Sequence, residues 1–139
     1  MSEATDLHEK LWDTVRNQDF EALRALYHPD YSYTGPDGQE HKGADAGIAV
    51  AQMYMSAFPD MSFEFRRKYA CGEDVSIIEV TVRGTHQGEL QGISPTGRQI
   101  EGFLCNIIDV RDGKIYRERD YYDNLALLSQ LGVSPQAGK

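Results

Sequence analysis

The hydrophobic pattern of this chain changes period once, near Pro59-Asp60, and that change limits the fold more than any other feature. Before it, apolar residues recur at helical spacing. Leu7, Leu11, Trp12 and Val15 form one stripe, and Asp19 can cap a second helix carrying Phe20, Leu23, Leu26 and Tyr27, which His28-Pro29 ends. A short aromatic strand, Asp30–Thr34, then meets the turn signal Gly35-Pro-Asp-Gly38. A third helix, from about Ala44 to Phe58, aligns Ile48, Ala51, Met55 and Phe58. After Pro59 the period is two. Met61, Phe63, Phe65 and Tyr69 alternate with polar residues, and Ile77, Ile78, Val80 and Val82 make a β-branched run. Glycine-rich residues 84–98 read as a long hairpin connection, Gln99–Val110 as a strand, and Arg111-Asp-Gly113 as a tight turn into a last strand. Leu125–Leu131 forms a closing helical segment before Gly132. Helices first and a meander afterwards, without βαβ alternation, give an α+β fold: three N-terminal helices packed on the concave side of one curved, mainly antiparallel sheet.

The chain has 139 residues, enough for one domain, 1–139, with 133–139 expected as a flexible tail. A formal net charge of −8 argues against a nucleic-acid partner, because phosphate binding needs clustered Lys and Arg. No stretch approaches the length of a membrane span, and the first residues carry neither a positive flank nor an apolar signal region, so a cytoplasmic protein is expected. Cys71 and Cys105 have no CxxC partner and read as small buried hydrophobes. The four histidines stand singly, which predicts no metal site. No GxGxxG, Walker loop, HExxH or GxSxG is present.

The final strand, Gly113–Asp123, is charged on both faces, yet runs directly into the apolar closing segment. Alternation places Glu118, Asp120 and Tyr122 on one face and Arg117, Arg119 and Tyr121 on the other. Asp120 is either a surface carboxylate paired with a nearby arginine or a pocket carboxylate that moves a proton. In the second case, burial among apolar walls would raise its pKa toward neutrality and make it a better base. Asn106 interrupts the apolar run Phe103–Ile108, and a buried amide needs a partner: a substrate carbonyl, Asp120, or a plain structural hydrogen bond. His86 could face a pocket mouth as an acid or base, or serve a hairpin loop. Tyr27, Tyr31, Tyr33 and Tyr54 suit a core, although a phenol on a pocket wall can donate to an enolate.

Ala57–Asp60, His86–Arg98, Asp112–Ile115 and Asp120–Gly132, in this order, resemble the SnoaL-like polyketide cyclases. The resemblance covers nearly the whole chain. It implies the cone-shaped α+β barrel of the nuclear-transport-factor-like superfamily, which also holds ketosteroid isomerase and limonene epoxide hydrolase. In the family's cyclases an aspartate of the last long strand acts as acid and base in a cofactor-free intramolecular aldol condensation, and Asp120 is similar in position. The cyclases' assisting histidine falls at Asn106 here, a tryptophan common before the aspartate is Arg119, and Tyr33 matches the early-strand residue loosely. The expectation is a cofactor-free enzyme acting on an apolar, carbonyl-bearing molecule. Asp120, Asn106 and His86 are its candidate catalytic residues, and Tyr33, Tyr54, Glu118 and Tyr122 its candidate substrate contacts. The alternatives are a non-catalytic binding domain of the same fold and epoxide-hydrolase-like water addition. The Arg117, Arg119 and Tyr121 face is expected to pair the sheets of a homodimer.

Overall fold

A computed structural model describes residues 2–133; residues 134–139, most of the expected tail, lie outside the described residues. Val133 packs against a buried cluster that includes Leu131, and its N–H donates to the Leu128 carbonyl at 2.9 Å.

Helix α1 (Glu3–Arg16) starts at a capping box in which Ser2 and Thr5 satisfy each other's backbone N–H groups at 3.1 Å. Asp19 caps α2 (Phe20–Leu26). Strand β1 (Tyr27–Thr34) begins directly after α2, three residues before its expected start. His28-Pro29 thus lies in the strand, where the extended backbone suits the fixed φ of proline, and Tyr27 already pairs with Ile115. The turn leads to β2 (Glu40–Lys42), a short exposed edge strand that the hydrophobic pattern does not announce. Helix α3 (Ala44–Ala57) follows. Then come β3 (Ser62–Cys71), β4 (Val75–Thr85), β5 (Gln99–Arg111) and β6 (Lys114–Tyr122), with α4 (Asn124–Gln130) last. The Asp112-Gly113 turn between β5 and β6 has both residues at positive φ, 54° and 73°, which is why this hairpin uses Asp-Gly.

The six strands form one sheet in the order β2-β1-β6-β5-β4-β3, antiparallel except where β1 runs parallel to β6. Helices α1 to α3 cover its concave face, enclosing Trp12, Leu23, Tyr31, Ile78, Ile108 and Ile115. A second cluster, with Phe58, Leu90, Ile100 and Leu131, lies under the loop between β4 and β5. Two details correct the expectations. A bulge between Phe65 and Arg67 breaks the alternation of β3, so Tyr69 leaves the face of Phe63 and Phe65 and is 45% exposed. Cys71, at the end of the edge strand β3, is exposed rather than buried, whereas Cys105 is half-buried, and both are free thiols.

Gly47 brings α3 close to β1. A Cβ there would lie 2.6 Å from the hydroxyls of both Tyr27 and Tyr31, so no larger residue fits without displacing the tyrosines. Helix α4 is held over the open end of the sheet by the Gln130 amide, which accepts from the Glu101 N–H at 2.7 Å and donates to the Glu101 carbonyl at 2.9 Å.

Candidate active site

The concave face and the helices enclose a cavity of about 320 Å³. Leu11 and Trp12 of α1, Val50 and Met55 of α3, Phe63 of β3, Val82 of β4 and Leu127 of α4 supply apolar wall. The polar end comes from β6, whose alternation turns Glu118, Asp120 and Tyr122 inward. Among the described residues, no Lys, Arg or His lines the cavity.

The register centres this polar end on Asn106, which lies opposite Asp120 across the β5–β6 ladder. Its amide nitrogen donates to Asp120 Oδ1 at 2.5 Å and to Glu118 Oε2 at 3.0 Å. Two tyrosines of β1 complete the carboxylates' partners: Tyr33 donates to Asp120 Oδ2 at 2.7 Å and Tyr31 to Glu118 Oε1 at 2.6 Å. Behind Asn106 stands His8 of α1, fully buried, with Nε2 2.6 Å from Asn106 Oδ1 and Nδ1 2.7 Å from Ser76 Oγ of β4. On the cavity wall the Tyr54 and Tyr122 hydroxyls are hydrogen-bonded to each other.

Two carboxylates thus share a low-dielectric pocket with neutral donors only. Burial, reinforced by the neighbouring Asp120, pushes Glu118 up to about 7. Burial also raises Asp120, against the opposing pull of the hydrogen bonds from Tyr33 and Asn106. The pair titrates as a unit, and its protons belong to the dyad rather than to either residue. Tyr33 is held well above the ordinary phenol range, first by burial and then by the Asp120 charge, so it stays a donor. Burial pushes His8 down to about 4, which leaves its ring neutral at pH 7. Chemically, the arrangement offers a base near neutral pH, fixed phenol donors, and an apolar chamber that limits water. Among the described residues, no group of three or more His, Cys, Asp or Glu side chains comes together to hold a metal ion.

Of the residues singled out in the sequence, Asp120, Tyr33, Glu118, Tyr54 and Tyr122 line this cavity, and Asn106, fully buried and outside the lining, holds the two acids from behind. His86 does not line it. Its Nδ1 accepts from the Thr96 N–H at 3.2 Å and lies 3.0 Å from Thr96 Oγ1, its ring packs against Phe58, and it anchors the loop before β5. Arg119 lies on the opposite face, 3.1 Å from Asp109, and Arg83 pairs with Glu64 and Glu101 on the exterior. The sequence reading missed His8, Ser76 and the role of Tyr31. One local signal existed: His8 falls on the helical stripe Ala4, Leu11, Trp12, Val15, a polar residue on a buried face.

The geometry defines a class first: a curved α+β cone with an acid/base pocket at its polar end. A family model described as SnoaL-like polyketide cyclase matches residues 4–131, and the chain belongs to that family. It is 26% identical over 136 residues, 95% of this chain and 92% of the other, to the aklanonic acid methyl ester cyclase DnrD of Streptomyces peucetius. It is 33% identical over 113 residues, 76% of this chain and 79% of the other, to the nogalonic acid methyl ester cyclase of Streptomyces nogalater. Among solved structures, IdmH of Streptomyces antibioticus superposes with a TM-score of 0.79 at 31% identity, covering 94% of this chain and 99% of that one. Among the described residues, no helix is long and apolar enough to cross a membrane.

Proposed function

We infer that this chain is a cofactor-free acid/base enzyme that closes a ring, by intramolecular aldol addition, in a neutral, apolar molecule bearing carbonyl groups. The observation that carries this reading is Asp120 at the polar end of an apolar cavity, held by Tyr33 and Asn106 with no cationic side chain among the described residues of the lining. The ionised Asp120 takes a proton from the carbon next to one carbonyl. The resulting enolate carbon attacks a second carbonyl carbon of the same molecule and forms the C–C bond. The new alkoxide recovers the proton from Asp120, so atoms and charge balance with no other reactant. A proton held by the Glu118–Asp120 pair and the phenols nearby supply donors for the oxyanions.

Two buried acids in a lining that has no basic side chain among the described residues would repel a free carboxylate, which favours a substrate without one. The methyl esters in the names of the two cyclases fit that requirement. Aklanonic and nogalonic acid methyl esters are therefore the first compounds to assay, with ring closure followed by absorbance and chromatography. Product formation that falls about 10²–10⁴-fold in Asp120→Asn supports the assignment, and full activity in that variant overturns it. A binding domain without chemistry would retain these compounds unchanged. Water addition to an epoxide would need an arginine between two carboxylates, and Arg83 and Arg119 both lie outside the cavity.

The outer face of the sheet exposes Phe103 and Tyr121, at 64% and 56%, and a second copy packing there would cover them. Sedimentation at micromolar concentration tests this, and a monomer removes the idea.

A further inference from the structure

Asn106 serves two carboxylates with one amide group, and it can do so only in one of its two orientations. When both acids are ionised they accept and never donate, so the nitrogen faces Asp120 and Glu118, as the 2.5 and 3.0 Å contacts have it, and the oxygen faces away. The oxygen points at His8 Nε2, 2.6 Å distant. Because an amide oxygen only accepts, Nε2 must carry the proton. The neutral ring then has no proton on Nδ1, which accepts from the Ser76 hydroxyl at 2.7 Å. With both acids ionised, every donor and acceptor along the path has one assignment: Ser76 to His8, His8 to Asn106, and Asn106 to both acids. Ser76, His8 and Asn106 are all at 0% exposure, so water cannot take over a lost partner.

We propose that His8 is a positioning residue, which holds the Asn106 amide in the orientation that aims both of its protons at Glu118 and Asp120. The inference rests on the acid/base reading of Asp120, but concerns a residue outside the cavity lining. His8 does not line the cavity. It reaches the carboxylates from α1 across the sheet, through an amide that stands between it and them. Without its N–H, the Asn106 oxygen is buried without a donor, and rotation of the amide would present that oxygen to a carboxylate. Either outcome weakens the donation that favours the ionised acids.

The groups facing the acids from the packed elements are Tyr27, Tyr31 and Tyr33 of β1, Tyr54 of α3, Tyr122 of β6 and Asn106 of β5. Glu9 and Lys68 are the charges that bear on His8 itself. None of the facing groups can supply a donor to the Asn106 oxygen in place of His8, because the phenols lie with the carboxylates, on the other side of the amide.

His8→Gln and His8→Asn separate positioning from packing. Glutamine places its amide N–H near the site of Nε2, whereas asparagine reaches only the region of Nδ1. Carboxyl titration of Asp120 and Glu118 by ¹³C NMR is read in both variants and needs no substrate. His8→Asn moves the titration of the pair to higher pH, and His8→Gln returns it toward the wild-type curve. The acidic limb of kcat/KM moves in the same direction, with a loss of about 10-fold or more below the shifted limb in His8→Asn and rescue in His8→Gln. A folded His8→Asn protein whose carboxyl titration matches wild type overturns the inference, as does an equal shift in both variants. If His8→Asn does not fold, His8→Gln decides: a wild-type titration supports the proposal and an upward shift overturns it. Failure of the acid/base reading would show separately, as full activity in Asp120→Asn with the His8 titrations unaffected.

Discussion

Strand β6 carries charge on both faces, and the two faces treat it differently. Outside, Arg119 meets Asp109 at 3.1 Å near solvent, an opposite-sign pair whose desolvation cost is small. Inside, Glu118 and Asp120 lie two residues apart on the same face and are met by a neutral amide and two phenols. A fold seeking stability alone would place an arginine there or an apolar residue. Keeping two acids in an apolar chamber without a cation costs stability, and what it gives is a proton acceptor active near neutrality.

The strongest way to break the contrast is to neutralise the inner face. Asp120→Asn should lower kcat by about 10²–10⁴-fold with the fold intact, because the Tyr33 hydroxyl can turn to accept from the new amide; steady-state turnover and circular dichroism check this. Asn106→Leu comes next. It removes the donor shared by both acids, so their titration rises and kcat/KM falls by about 10–10³-fold, with its acidic limb at higher pH. Gly47→Ala tests the packing behind the phenols. Its Cβ must push against the Tyr27 and Tyr31 hydroxyls, and a loss of about 1–3 kcal/mol in urea denaturation is expected.

Stability against pH sharpens the comparison further. Glu118 binds its proton more tightly in the folded state, about 7 against an ordinary value of 4.5, so its contribution is greatest below 4.5 and is lost as pH rises toward 7. His8, held near 4, acts in the opposite sense, since its stabilisation is lost as pH falls from about 6.5 toward 4. Glu118→Gln should therefore remove Glu118's share of the decline above pH 4.5 and leave that of Asp120 and the His8 slope, making the protein relatively more stable at pH 7 than wild type. The smallest effect belongs to the outer face: Arg119→Ala should change stability by no more than about 1 kcal/mol and kcat by less than about twofold.

The same contrast explains what could be read from the chain. Period-two alternation brings Glu118, Asp120 and Tyr122 to one face wherever β6 lies, so those three were legible together. Asn106 stood out as an amide in an apolar run. The family motifs supplied the cone and the place of Asp120, and the match over residues 4–131 bears out that resemblance. His8 and Asn106 are 98 residues apart, on a helix and a strand, and no local pattern reports such a contact. His86 has the same chemistry as His8, yet sits against Phe58 and Thr96; tertiary position alone separates them. The edge strand β2 has only three residues, all exposed, and leaves no period to detect.

The central claim is that burial makes the two acids of the inner face bind protons as a coupled pair well above the ordinary carboxylate range. Site-resolved ¹³C-carboxyl titration of Asp120 and Glu118, assigned with Asp120→Asn and Glu118→Gln, measures it directly. The account predicts coupled transitions, both displaced upward from the ordinary carboxylate range, with one reaching about 7. Two independent transitions in the ordinary range, with both groups fully ionised by about pH 6, would contradict it.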